Sequence, residues 1–120
     1  MICMTLQQTL KEFGKTLATV SVSVFHYKRP KSVTDRYAVW QEEGEGESFY
    51  ANNGRAETRI AGTLDYFTQT EFDSAVDEIQ QKLQGAEGCS WRMESVQFEE
   101  ETGLIHYEWA WEIGYGDVSV

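Results

Sequence analysis

Two histidines and one glutamate come nearest to a metal-binding set in this sequence. His106 and Glu108 lie two positions apart in an alternating segment, so both project from one face of a predicted strand. If the strand that contains His26 lay alongside, the three side chains would suit zinc or iron. The sequence does not give that strand alignment, and His-x-Glu pairs are common on protein surfaces. We therefore expect no metal site and no cofactor.

The stretch YAVWQEEGEGE, residues 37–47, has an aromatic half followed by an acidic half that contains two glycines. Its carboxylates could bind calcium, but the acid spacing of an EF-hand loop and its terminal bidentate glutamate are absent. A disordered tail is excluded because segments with strong β-strand character lie on both sides. We predict a strand from Tyr37 to Gln41, followed by a flexible acidic loop that is a candidate contact with a partner. The acidic residues of this loop are Glu42, Glu43, Glu45 and Glu47.

The sequence offers no arrangement for nucleophilic catalysis or phosphate binding. It has no G-x-S-x-G elbow, and Cys3 and Cys89 have no evident histidine partner. Gly44 and Gly46 lack the third glycine and the lysine of a phosphate-binding loop, and the neighbouring carboxylates would repel phosphate. We expect a protein that is not an enzyme.

The charge of the chain is strongly negative and unevenly distributed. Twenty acidic and ten basic residues give a net charge of −10 and an isoelectric point of about 4.5. This balance opposes direct binding to nucleic acids and to anionic membranes. Residues 1–36 contain six basic and two acidic side chains, and Lys28, Arg29 and Lys31 are among the basic ones. The two regions could neutralise each other within one fold, which is the simpler interpretation, or bring the positive face of one copy to the negative face of another.

The chain shows no membrane or export signal. No segment approaches the roughly 20 apolar residues that cross a bilayer, and the first ten residues lack the pattern of a signal peptide. Two cysteines are too few for a disulfide scaffold. We expect a single domain over residues 1–120 and a reducing cytosol as its compartment.

The spacing of the apolar residues predicts two helices and three strands in the first part of the chain. Intervals of three and four predict helices over about residues 3–17 and 72–84. Alternation predicts strands over about residues 20–27, 36–43 and 55–69, and Gly62 in the third strand marks a bulge or a bend. The residues suited to cap the helices are Thr5 with Gln8 for the first, and Thr70 or Asp73 for the second.

The last part of the chain predicts a β-hairpin. A phase shift near Glu94 and Ser95 indicates a bulge, and Glu99 to Gly103 form the turn. Apolar and acidic residues then alternate over residues 105–113. The tryptophans and Tyr107 of this hairpin could stack on bases or sugars, but their alternation is typical of a core. The order α-β-β-β-α-β-β therefore predicts an α+β fold, with an antiparallel-rich sheet and two helices packed on one face.

Three segments of the chain resemble a family of small phage proteins. They are RYAVWQEEGEGESFYANN, AGTLDYFTQTEFDSAVDEIQQKL and ESVQFEEETGLIHYEWAWEI. Their order and motifs are similar to those of tail terminator (tail completion, or minor tail) proteins from siphophages and prophages of Gram-positive bacteria. The resemblance covers about residues 20–113, most of the chain.

The resemblance implies a structural role. Tail terminators form a hexameric ring on the head-proximal end of the tail tube, stop its polymerisation and provide the surface that joins the filled capsid. The implied partners are other copies of the chain, the tail tube protein and the head–tail connector proteins. The family has no catalytic residues, and DNA passes through the ring without being specifically bound.

Other hypotheses stay open from the sequence. An acidic DNA mimic would need carboxylates along one elongated face, whereas here they cluster at two predicted loops and at alternate strand positions. A head–tail joining protein is a neighbouring role, and a host cytosolic protein of unrelated role is a further alternative. The candidate contacts with other subunits or partners are Lys28, Arg29, Lys31, Glu42, Glu43, Glu45, Glu47, Glu99, Glu100 and Glu101.

Overall fold

A computed structural model describes residues 4–46 and 58–116 of the chain. Within these residues the elements follow the order α-β-β-β-α-β-β, which confirms the predicted order. The helices are α1 (Leu6–Leu17) and α2 (Ser74–Gly85). The strands are β1 (Ser23–His26), β2 (Tyr37–Glu45), β3 (Thr58–Thr68), β4 (Cys89–Glu99) and β5 (Leu104–Tyr115).

The five strands form one sheet in the order β1-β2-β3-β5-β4. The pairs β2–β3, β3–β5 and β4–β5 are antiparallel, and β1 pairs in parallel with β2. The predicted α+β fold with an antiparallel-rich sheet is thereby confirmed. In the part of the chain that the structure describes, β1 and β4 are the two edges of the sheet.

The core lies between one face of the sheet and both helices. The ring of Phe13 on α1 lies 5.5 Å from that of Trp40 and 4.6 Å from that of Trp111, between centroids. Ile79 and Leu83 of α2 are buried in the same cluster. Trp109 is fully buried at 0% exposure, so the alternation in β5 places its aromatic residues in the core, as predicted.

The helix caps follow the sequence closely. Thr5 caps α1 in a capping box with Gln8, in which the Gln8 amide donates to the Thr5 hydroxyl over 3.1 Å. Asp73 caps α2, and its carboxylate accepts from the amide of Ala75 at 2.9 Å. Among the described residues, no helix is long and apolar enough to span a membrane.

The first strand is shorter than predicted. Residues 18–22 form a turn after α1, in which the amide of Val20 donates to the carbonyl of Leu17 at 3.4 Å. Ser21 is held by the carboxylate of Glu78, which accepts from its amide and its hydroxyl. Val20 is buried at 7% exposure through this turn. Val20 therefore fits the alternating apolar pattern of the sequence, although it lies outside β1.

The bulge in the middle of the sheet lies on a different strand from the predicted one. β2 continues through Glu45, and its register against β3 shifts between Glu42 and Gly44. β3 itself pairs without interruption against β5, so the extra residue lies on β2, and Gly62 is paired with Glu42 directly at the shift. The predicted bulge in β4 is confirmed by the register shift between Met93 and Ser95.

Candidate assembly surfaces

The basic residues predicted as contacts lie in the connection between β1 and β2, residues 27–36, called the basic loop below. It begins and ends in the left-handed region, at Tyr27 (φ 78°) and Arg36 (φ 52°). Arg29 lies over the ring of Tyr37, 5.2 Å from its centroid, and donates to the Tyr37 hydroxyl at 3.0 Å. It also donates to loop carbonyls, including that of Val33 at 3.0 Å. All three basic residues are exposed, and Arg29 also shapes the loop through these contacts.

The far end of the basic loop is anchored to the start of α2. Arg36 donates to both carboxylate oxygens of Asp73, at 3.1 and 2.8 Å. The same carboxylate accepts from the hydroxyl of Tyr66 at 2.6 Å and from that of Thr68 at 2.8 Å. Burial alone would raise the pKa of Asp73, but the hydrogen bonds from Arg36, Tyr66 and the Ala75 amide outweigh it and hold that pKa well below its usual range. Burial and the hydrogen bond to Asp73 raise the pKa of Tyr66 to about 12.

Glu42 is held in place rather than carried by a flexible loop. It lies within β2, its Oε1 is 2.7 Å from Nε2 of His26, and it accepts a hydrogen bond from the hydroxyl of Tyr27. Burial would raise the pKa of Glu42, and the hydrogen bonds from Tyr27 and His26 reverse that and lower it. The prediction of a flexible loop from Glu42 onward is wrong, because the strand and this network fix the residue.

The remaining acids of this stretch contribute to a groove on the open face of the sheet, opposite the helices. Glu43 and Glu45 are exposed at the end of β2, and Glu47 lies outside the described residues. The groove encloses about 650 Å³ over a floor of small side chains, Ala61, Thr63 and Ala110. Its acidic lining residues are Glu43, Glu45, Glu94, Glu108 and Glu112.

Glu112, one of the lining residues of this groove, belongs to an ion pair with several hydrogen bonds. Arg59 is 9% exposed, and its guanidinium donates from Nε to Oε1 of Glu112 at 2.9 Å and from Nη2 to the hydroxyl of Ser90 at 3.1 Å. The pair stabilises the fold locally and neutralises one of the groove's carboxylates. Glu94 is likewise paired with Arg92, which also lines the groove, so the groove is acidic mainly through Glu43, Glu45 and Glu108.

A row of stacked rings crosses the other end of the open face. Phe67 lies 4.9 Å from Tyr37 and 4.2 Å from His106, between ring centroids. His106 contacts Asp65 through Nε2 at 2.7 Å and Glu99 through Nδ1 at 3.2 Å. Because Arg29 lies over the ring of Tyr37 and Glu99 contacts His106, the row joins the basic loop at one edge of the sheet to the acidic turn, Glu99 to Gly103, at the opposite edge.

The acidic turn comprises Glu99 to Gly103, as predicted. Gly103 has φ 73°, a conformation that favours glycine, and its amide donates to the carbonyl of Glu99 at 2.8 Å. Thr102 donates to the carboxylate of Glu99 at 3.1 Å. Glu100 and Glu101 are exposed at the tip. Two of the three predicted acidic contacts are therefore free to meet solvent or a partner.

The structure does not bring together the three residues considered for a metal site. His26 lies on β1 and His106 on β5, and β2 and β3 separate these strands. Glu108 is on the same face as His106, but His26 projects from the helix side, where it stacks on Trp40 at 3.8 Å. Within residues 4–46 and 58–116, no group of three or more histidine, cysteine, aspartate or glutamate side chains is arranged to hold a metal ion.

Sequence reasoning did not single out a set of exposed apolar residues on β4. Met93, Val96 and Phe98 are 38%, 50% and 64% exposed. The lengths of the elements could have predicted this exposure. A 12-residue helix is about 18 Å long, whereas an 11-residue strand spans about 36 Å. The helices are too short to cover the far half of the hairpin, and the molecule is elongated, with extents of 50 × 22 × 22 Å.

Known proteins match this chain in fold rather than in sequence. The sequence matches no protein-family model and no curated protein. The fold is similar to that of a chain in the virion of a native gene transfer agent particle, with a TM-score of 0.53. The similarity covers 92% of this chain and 91% of the other, at 12% sequence identity. At this identity, the comparison shows a shared fold.

The thiol of Cys89 provides a test of the packing beside β4. Burial raises the pKa of Cys89 to about 11, although the charge of Arg59 lowers it. We expect iodoacetamide to alkylate Cys89 roughly tenfold more slowly than glutathione at about pH 8, because little thiolate is present. Mass spectrometry of a Cys3→Ser variant measures the rate. The two rates should converge in urea, and equal rates in native buffer would contradict the packing.

Proposed function

We propose that this chain is a structural virion protein of a phage or prophage, and that it acts as a tail terminator. The observation that carries the proposal is the fold shared with a virion chain over 92% of this chain. The resemblance of three sequence segments to tail terminators supports the finer role. The protein then acts by assembly and not by catalysis, and it needs no cofactor. It assembles in the host cytoplasm and remains in the virion tail.

The distribution of charge supports a ring. A ring requires a heterologous interface, in which one surface of a subunit meets a different surface of its neighbour. The basic loop adjoins the β1–β2 edge, and the acidic turn follows β4 at the opposite edge. Opposite charges on opposite edges favour head-to-tail contact between copies and oppose like-to-like pairing. A hexameric ring on the tail tube is the assembly we propose.

The acidic groove suits a channel through which DNA passes. Carboxylates on the open face, including Glu43, Glu45 and Glu108, repel phosphate. If this face lines the ring, the duplex moves through without adhering to it. With the open face towards the channel, the helix side would remain available for contact with the tail tube or with the connector proteins of the head.

A null mutant of the encoding phage or prophage tests the proposal. We expect an early stop codon to give tail tubes of uncontrolled length that do not join to filled heads. Electron microscopy of the lysate measures tube length and head attachment, and expression of the wild-type chain in trans is the control that should restore both.

The same micrographs discriminate among the alternatives. Tails of normal length that stay detached from heads would instead indicate a head–tail joining protein. Intact virions in normal number would contradict any virion role, and would favour a DNA mimic or an unrelated host protein.

A further inference from the structure

The far half of β4 presents an apolar strip on the helix side of the sheet. The register pairs Met93 with Trp109, Val96 with Tyr107 and Phe98 with Ile105. Trp109 is fully buried in the core, so the three β4 side chains project from the core face. We call Met93, Val96 and Phe98 the hairpin strip.

The helices leave the hairpin strip uncovered. α2 covers only the start of β4, where Trp91 donates from its indole nitrogen to the side-chain oxygen of Gln84 at 3.1 Å. Beyond that point the side chains become progressively more exposed, from 38% at Met93 to 64% at Phe98. A run of large apolar side chains open to solvent on an edge strand indicates a site of association.

Carboxylates border the hairpin strip. Glu99, Glu100 and Glu101 follow it directly in sequence, whereas Glu94 lines the groove on the open face and is paired with Arg92. Glu99 is engaged by His106, whereas Glu100 and Glu101 are exposed. A partner must therefore combine an apolar or aromatic group with positive charge.

The opposite edge of the same molecule has that combination. Tyr27 is 55% exposed at the start of the basic loop. The exposed Lys28 follows it in sequence, and the exposed Lys31 lies in the same loop. The ring of Tyr27 is held by stacking on His26 at 3.8 Å between centroids and by its hydrogen bond to Glu42. Because the ring and the loop are already ordered, little conformational freedom is lost on binding.

We infer that the hairpin strip of one copy binds the basic loop of the next copy. Tyr27 packs on Val96 and Phe98, and Lys28 and Lys31 face Glu100 and Glu101. The identification of the partner as a neighbouring subunit rests on the proposed function, and charge complementarity between the two edges supports it. Because the two surfaces lie at opposite edges of the sheet, each subunit uses both, and the contacts can close into a ring.

Disulfide trapping tests this contact directly. In a Cys3→Ser, Cys89→Ser background, Lys28→Cys is combined with Glu100→Cys. The two positions lie at opposite edges of one sheet, too far apart for a bond within a chain. On mild oxidation of concentrated protein, we expect a ladder of covalent oligomers on a non-reducing gel. The control pair, Lys28→Cys with the exposed Glu12→Cys on α1, should give only background.

Phe98→Ser shows whether the apolar strip contributes. An aromatic anchor at the centre of an interface typically accounts for about tenfold or more in affinity, so we expect at least that loss of ladder. Because Phe98 is exposed, its replacement should leave the circular dichroism spectrum and the unfolding midpoint unchanged. A ladder no stronger than that of the control pair, or one insensitive to Phe98→Ser, would overturn the inference.

Charge exchange provides an independent readout. Lys28→Glu with Lys31→Glu, and separately Glu100→Lys with Glu101→Lys, should each weaken self-association on tail tubes, and mixing the two variants should restore it. If expression of the Phe98→Ser chain restores normal virions to the null mutant, this contact is wrong while the tail role stands. If the ladder forms but the null mutant makes normal virions, the contact stands and the proposed function fails.

Discussion

Replacement of Asp73 by asparagine should lower the free energy of unfolding by about 3 kcal/mol, because it removes one partner of a buried charge pair. The carboxylate of Asp73 is 1% exposed and bonds to Arg36, Tyr66 and Thr68. Asparagine keeps the capping oxygen for α2 but cannot accept from all of these donors at once. Arg36 reaches solvent, which keeps the loss at the lower end of the range for buried pairs.

The effect should depend on pH with a defined sign. The pKa of Asp73 lies below its unfolded value, which is about 3.9 for aspartate. Its contribution to stability is therefore fully present above that value and declines as the pH falls through and below it. Wild type should lose stability on acidification more steeply than Asp73→Asn, so the difference between them narrows at low pH.

Urea denaturation at neutral pH and at about pH 3 measures both parts of this prediction. Asp77→Asn is the matched control, because Asp77 is exposed in the first turn of the same helix. It should change stability by no more than about 0.5 kcal/mol. An Asp73→Asn protein as stable as this control would show that the network around Asp73 contributes little.

The periodicity of the sequence was sufficient to predict the elements and their order. β5 alternates apolar and polar residues without a break because one face meets the core and the other is open. The spacing of Phe13 and Leu17 marks the buried side of α1 for a similar reason. Each of these patterns is local, so each is visible in a short window of the sequence.

The basic loop could not be predicted in the same way. Its shape depends on Arg36 meeting Asp73, 37 residues further along the chain, and on Arg29 lying over Tyr37. The parallel pairing of β1 with β2 depends on this loop as well. Because the two strands run in the same direction, the loop must return the chain to the end of the sheet at which β1 begins. Composition identified Lys28 and Lys31 as candidate contacts, but only the folded chain distinguishes them from Arg29.

The sequence also could not show which acidic residues are bonded within the fold and which are exposed. Glu42 and Glu43 are neighbours of the same type, yet Glu42 binds His26 and Tyr27 while Glu43 borders an open groove. Successive side chains of a strand project to opposite faces. Glu42 projects to the helix side, as His26 does on the neighbouring strand β1, whereas Glu43 lies in the bulge that follows Glu42. A charge count treats both residues as equal members of one acidic loop.

Replacement of Gly62 by alanine should lower the free energy of unfolding by about 3 kcal/mol, at the upper end of the cost of overpacking. A Cβ at this position would lie 2.5 Å from Cζ2 of Trp111 and 2.9 Å from the carbonyl carbon of Gln41. Neither neighbour can move aside easily. Trp111 donates from its indole nitrogen to the carbonyl of Thr63 at 2.9 Å and packs against Phe13, and the carbonyl of Gln41 belongs to the backbone of β2.

Gly44→Ala is the matched control for this substitution. Gly44 lies on the adjacent strand beside the bulge, and a Cβ there would meet nothing within 4 Å. Its replacement should leave stability within about 0.5 kcal/mol of wild type, since the new methyl group causes no clash and restricts the unfolded chain. Thermal and urea unfolding of the two variants, side by side, measure the difference. If Gly62→Ala proved as stable as Gly44→Ala, Trp111 would not lie over Gly62. The register between β3 and β5, which pairs these two residues, would then be wrong.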